Sequence, residues 1–110
     1  MNTEARSITS TGDLENPDTV LITIRLFGTA RQAAGMTEIV IDVPSNSSER
    51  QLARLIQQSV PALVGPVIDQ ETLALKPSHT FNLNGVRFVD GDVQLREGDE
   101  ILLFSSQAGG

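Results

Sequence analysis

The chain has 110 residues, 39% of them hydrophobic and 20% charged, which suits one globular domain around one modest core. The balance of 8 basic against 14 acidic residues gives a net charge of −6 and argues against nucleic acid or an anionic membrane as partner. With no cysteine and a single histidine, disulfides, a thiolate nucleophile, thiolate metal sites and a two-histidine metal site are all excluded, and no metal is expected.

Residues 1–19 are Thr, Ser, Asn, Asp and Glu with few large apolar side chains. They bury too little surface to offset the entropy of ordering and are read as a disordered leader. No apolar stretch of signal-peptide length occurs there, and Glu4, Asp13, Glu15 and Asp18 are foreign to acidic-poor transit peptides. The apolar runs elsewhere are too short to span a bilayer, so the expected location is cytoplasmic.

Val20 to Phe27 alternates as a strand, with Val20, Ile22, Ile24 and Leu26 on a core face and Leu21, Thr23, Arg25 and Phe27 on the other. Gly28 ends it, and Thr29 to Ala34 suits one short helical turn before Gly35, with Arg31 exposed. Phe27 then has two readings: a strand-end residue packed under the following loop, or part of an apolar docking patch. Thr37 to Val43 alternates again, with Ile39, Ile41 and Val43 inward, and Pro44 closes it.

Ser48-Glu49-Arg50-Gln51 matches a capping box, and Leu52, Leu55, Ile56 and Val60 recur at helical spacing up to Pro61. The spacing predicts one amphipathic helix packed on the sheet, with Arg50, Arg54, Gln57 and Gln58 in water. From Ala62 to His79 the glycine and prolines predict loops and a short strand, with Val67, Ile68 and Leu73 to Leu75 touching the core and His79 in an exposed loop. Asn84-Gly85 between Thr80–Leu83 and Val86–Val89 supplies the positive-φ pair of a type I′ hairpin turn. Val93 to Leu95 follows, then the polar turn Arg96 to Glu100, and a last strand over Ile101 to Phe104.

Six residues remain, Ser105 to Gly110, and they end in two glycines. Without Cβ atoms, Gly109 and Gly110 can thread a channel too narrow for side chains and present a free carboxylate in another protein's active site. The bland alternative is a frayed terminus.

Three blocks decide between these: Ile24 to Gly28 running into Arg31 and Ala34-Gly35; Asn84-Gly85; and Leu95-Arg96-Glu97-Gly98-Asp99-Glu100-Ile101 ending in Gly109-Gly110. From residue 20 onward these resemble the β-grasp (ubiquitin-like) sulfur carriers, and most closely the small subunit of molybdopterin synthase. The resemblance implies an α+β fold in which a mixed sheet carries one main helix on one face, with a domain over 20–104 and a flexible tail over 105–110. It implies no tightly bound cofactor. ATP would be used by an E1-like adenylyltransferase on the carboxylate of Gly110, and a sulfurtransferase would supply the sulfur that replaces AMP. The thiocarboxylate would then enter the molybdopterin synthase large subunit, which supplies the catalytic side chains, with Phe27, Arg31 and Phe104 matching family docking positions. Glu97, Asp99 and Glu100 either steer the chain to a basic partner or keep a turn soluble. One departure stands out: the family places Pro-Pro after the last strand's aromatic, where this chain has Ser105-Ser106, a softer arm. Rival readings are a carrier for thiamin or amino-acid synthesis, a protein modifier that passes Gly110 to lysine as ubiquitin does, and an interaction module that ignores the tail.

Overall fold

The computed structural model describes residues 18–106; most of the expected leader and residues 107–110 of the tail lie outside them. Ten short elements follow in order: β1 (Thr19–Leu26), α1 (Gly28–Ala34), β2 (Glu38–Pro44), β3 (Asn46–Ser48), α2 (Glu49–Ser59), a 3₁₀ turn (Pro61–Leu63), β4 (His79–Leu83), β5 (Arg87–Phe88), β6 (Asp92–Gln94) and β7 (Glu100–Ser105). Five strands form one mixed sheet in the order β2-β1-β7-β4-β5. β1 and β7 lie parallel at its centre, and the other neighbours are antiparallel. A chain that begins and ends on adjacent central strands must cross over between them, and α2 lies in that crossover.

The alternation read in the sequence sets the two faces. Ile22, Ile24 and Leu26 of β1, Val43 of β2, Phe81 and Leu83 of β4, and Ile101 and Leu103 of β7 point into one core. Ile39 and Ile41 share that face as half-buried neighbours at the β2 edge. α2 covers the core with Leu52, Ala53 and Ile56, and its first turn is capped by Ser48, whose Oγ accepts the N–H of Gln51 at 3.0 Å. Arg50, Arg54 and Gln58 face water and Gln57 is half-buried.

Four details differ from the sequence reading, each for a physical reason. The predicted single turn after Gly28 is a seven-residue helix closed by Gly35 in the left-handed region, because Ala30 finds a fully buried seat in the core. Asn46–Ser48 pairs with Asp92–Gln94 as a separate two-stranded sheet, in which Ser47 and Val93 are buried opposite one another. Val67 and Ile68 are fully buried as expected, but the short strand expected there is reduced to isolated bridges of Ile68 with Val64 and Leu75, because an Asx turn at Asp69 folds the loop back: its Oδ1 accepts the N–H groups of Glu71 and Thr72. These bonds, that of Thr72 first, hold the Asp69 carboxyl below its ordinary value.

His79 is the fourth. It is the first residue of β4 and only 8% exposed, instead of sitting in an exposed loop, because its pairing with Ser105 turns the ring onto the core face beside Phe81. Nδ1 lies 2.9 Å from Ser78 Oγ, and Nε2 has no partner among the described residues. Burial, and then the charge of Lys76, push its pKa below the ordinary 6.5. The unfolded chain therefore binds the proton first, so stability contributed by neutral His79 is present above about pH 6.5 and is lost as pH falls below it. Denaturant melts at pH 7.5 and 5.5 should show lower stability at the acid end, and His79→Gln should flatten that difference; an equal pH response of the two proteins would count against it.

Candidate functional site

The helices and the long loop lie on one face of the sheet, and the opposite face carries the exposed residues of the alternation. Register places them in rows. Arg25 of β1, Leu102 of β7, Asn82 of β4 and Phe88 of β5 lie side by side, and the next row holds Phe104 beside Thr80, with Phe27 following Leu26 at the end of β1. The Phe27 N–H donates to the carbonyl of Leu103 at 3.1 Å, which fixes Phe27 next to Phe104. Phe27 is 39% exposed, so its packed-under reading gives way to the open one. Phe88 is 62% exposed and its ring lies 6.1 Å from that of Phe104, centroid to centroid. Three phenylalanines and Leu102 thus form an apolar platform, and Leu21 and Val40 extend the exposed apolar surface toward the β2 edge.

Phe88 escaped the sequence reading because of one residue. A two-residue Asn84-Gly85 loop would pair Phe88 with Phe81 and send it into the core. Asn84 and Gly85 do adopt positive φ, at 56° and 72°. The ladder, however, resumes at Leu83 with Arg87, so Val86 is an extra loop residue and Asn82 pairs with Phe88. That shift by one moves Phe88 to the outer face. Below the platform Asn82 is 9% exposed, and its Oδ1 has no partner among the described residues.

Arg31 is exposed on α1, one turn beyond Phe27, and is not part of the sheet rows. Gly109 and Gly110 lie outside the described residues. β7 nevertheless carries the chain along the platform as far as Ser105, so the tail starts at the edge that Phe27 and Phe104 share.

The acidic block has a structural task. Asp99 Oδ2 accepts the N–H of Arg96 at 2.8 Å, and Oδ1 accepts Nδ2 of Asn84 at 3.1 Å. Asn84 Oδ1 in turn accepts the N–H of Glu100 at 2.8 Å. Gly98, at φ 87°, donates its N–H to the Leu21 carbonyl, and Glu97 Oε1 accepts the N–H of Leu21 at 3.0 Å. The hairpin turn and the turn before β7 are therefore stitched together through Asn84, Asp99 and Glu100. Glu100 also lies 3.8 Å from Arg25, a half-exposed pair that contributes little. Asp99→Ala should cost about 1 kcal/mol by removing these solvent-accessible hydrogen bonds, read from denaturant midpoints. A loss near zero would return the block to mere turn solubility.

Among the described residues no three His, Cys, Asp or Glu side chains gather as a metal site requires, and no helix is long and apolar enough to cross a membrane.

This architecture, a mixed sheet grasping one main helix with parallel first and last strands, is the β-grasp, ubiquitin-like fold. Solved structures share it. Small archaeal modifier protein 1 from Haloferax volcanii superimposes with a TM-score of 0.69 at 22% identity, over 82% of this chain and 99% of that one. The Methanosarcina acetivorans protein of the same name gives 0.65 at 20% identity, over 84% and 98%. A Pyrococcus furiosus protein, "Putative molybdopterin converting factor, subunit 1", gives 0.61 at 27% identity, over 78% and 97%. No family model matches the chain, and no curated protein does. The resemblance read from Val20 onward is therefore met at the level of the fold, by both a modifier and a converting-factor subunit.

Proposed function

We propose that this chain is a cytoplasmic sulfur carrier, the small subunit of a molybdopterin synthase, and that its working group is the carboxylate of Gly110. An E1-like adenylyltransferase joins that carboxylate to the AMP moiety of ATP and releases pyrophosphate. A persulfide on a sulfurtransferase then attacks the activated carbon, the C–S bond forming as the bond to AMP breaks. A thiol reductant cleaves the S–S bond of the resulting acyl disulfide to leave a thiocarboxylate. The large synthase subunit receives the tail and draws on this sulfur for the dithiolene of molybdopterin. The chain supplies an activated acyl group and a docking surface, and its partners supply the acid–base groups.

One observation supports the reading: the central strand β7 runs along a platform of exposed Phe27 and Phe88 and half-buried Phe104 and, ending at Ser105, brings the chain to the edge of that platform three residues before Gly-Gly. Phe27 and Phe104 dock there, joined by Phe88, and Arg31 contributes from α1, one turn beyond Phe27. A second reading has a specific support, since two of the solved neighbours are named modifiers. A modifier uses the same activation but passes Gly110 to a lysine amine.

Intact-protein mass spectrometry after incubation with the E1-like enzyme of the same genome, ATP and a sulfur donor tests the shared step. The expected result is one oxygen-to-sulfur exchange. Absence of any ATP-dependent change would remove carrier and modifier together. Sulfur transfer to a pterin precursor by the large subunit, against conjugate ladders in a lysate blot, separates the two.

A further inference from the structure

The Ser105-Ser106 pair, which stands where proline was the expected stiffener, is held by other means. Ser105 ends β7 opposite His79 of β4. Ser106 continues the contact beyond the strand: its N–H donates to the Ser78 carbonyl at 2.8 Å, and its Oγ donates to the Pro77 carbonyl at 2.8 Å. The loop that accepts both bonds is itself braced, since the His79 N–H donates to the Lys76 carbonyl at 3.0 Å and Ser78 Oγ meets His79 Nδ1. A proline at 106 would have neither the N–H nor the hydroxyl.

We infer that Ser106 is a positioning residue: its two bonds to Pro77 and Ser78 clamp the root of the tail, so that the last four residues leave the domain from a fixed point beside the docking platform. The inference rests on the proposed carrier reading for the reaction it serves. Its physical effect is pre-organisation. A root already held loses less conformational freedom when the tail enters a partner, so the clamp lowers the cost of insertion and leaves the chemical step alone. The hydroxyl replaces, by hydrogen bonding, the stiffness that a proline ring supplies covalently.

Two measurements decide it. In the free protein, the Ser106 amide should exchange hydrogen more slowly than an unstructured peptide, and an unprotected amide would show that no clamp exists. With the E1-like enzyme, Ser106→Ala should raise KM by roughly three- to tenfold, the worth of about one hydrogen bond, with kcat unchanged, and Ser106→Thr, which keeps the hydroxyl, should restore it. Unchanged KM in the alanine variant, or a fall in kcat alone, would overturn the positioning role. Should the native chain not be adenylated at all, the carrier reading falls, while the exchange experiment still judges the clamp.

Discussion

Adding one residue after Gly110 is expected to abolish ATP-dependent modification while leaving the thermal melt unchanged. Among the described residues Leu103 is the last fully buried side chain, and the last hydrogen bonds are those of Ser106. Nothing attached beyond Gly110 can then remove a core contact. The proposed chemistry, by contrast, depends wholly on the final carbon. An extension converts its carboxylate into an amide, which cannot be adenylated, and places a side chain where the proposed channel admits only glycine. Gly110→Ala keeps the carboxylate but adds a methyl group, and should be strongly impaired instead of inactive. Mass spectrometry beside a melt reads both effects. Equal modification of the extended chain would mean that the reactive group lies elsewhere.

A second large effect separates two phenylalanines on neighbouring strands. Phe81 and Phe104 belong to β4 and β7, one residue out of phase in the ladder, and so point to opposite faces of the same sheet. Phe81 is fully buried, and Phe81→Ala should cost about 3–5 kcal/mol, much of the 5–15 kcal/mol that holds a domain of this kind together. Phe104→Ala should cost clearly less stability, since its ring is only half-buried against Phe88, and should weaken binding to the large subunit by at least about tenfold. Denaturant melts and titration calorimetry on both variants give the comparison. If Phe104→Ala unfolds the protein while Phe81→Ala spares it, the assignment of faces is inverted. If affinity survives in a folded Phe104→Ala protein, the platform is not the docking surface.

Those faces were legible in the sequence wherever strict alternation ran for several residues. β1 and β2 read correctly because a run such as Val20 to Leu26 has one consistent phase, and α2 because its cap and its 3.6-residue spacing agree. Legibility failed where an element is too short to show a period. Asn46–Ser48 is polar, and only its partner β6 makes it a strand. His79 looks like a loop residue until pairing with the final strand encloses it. Phe88 depended on whether the hairpin loop holds two residues or three, a choice made by tertiary packing around Val89, which returns to the core with its N–H on the Phe81 carbonyl. Of the candidate site, Phe27 and Phe104 could be placed on the outer face from alternation, and their proximity could not, because it arises from the parallel pairing of residues far apart in the chain.

The clamp at Ser106 also makes the tail a ruler. From Ser106 to Gly110 are four residues, and a fully extended chain gains at most about 3.3–3.6 Å per residue, so the terminal carbon can travel no more than about 14 Å from its anchor. If partners dock on Phe27, Phe88 and Phe104 as proposed, any enzyme that acts on it must place its reacting atoms within that radius while its surface rests on the platform. Partners with deeper active sites are thereby excluded by distance alone, before any side chain is compared.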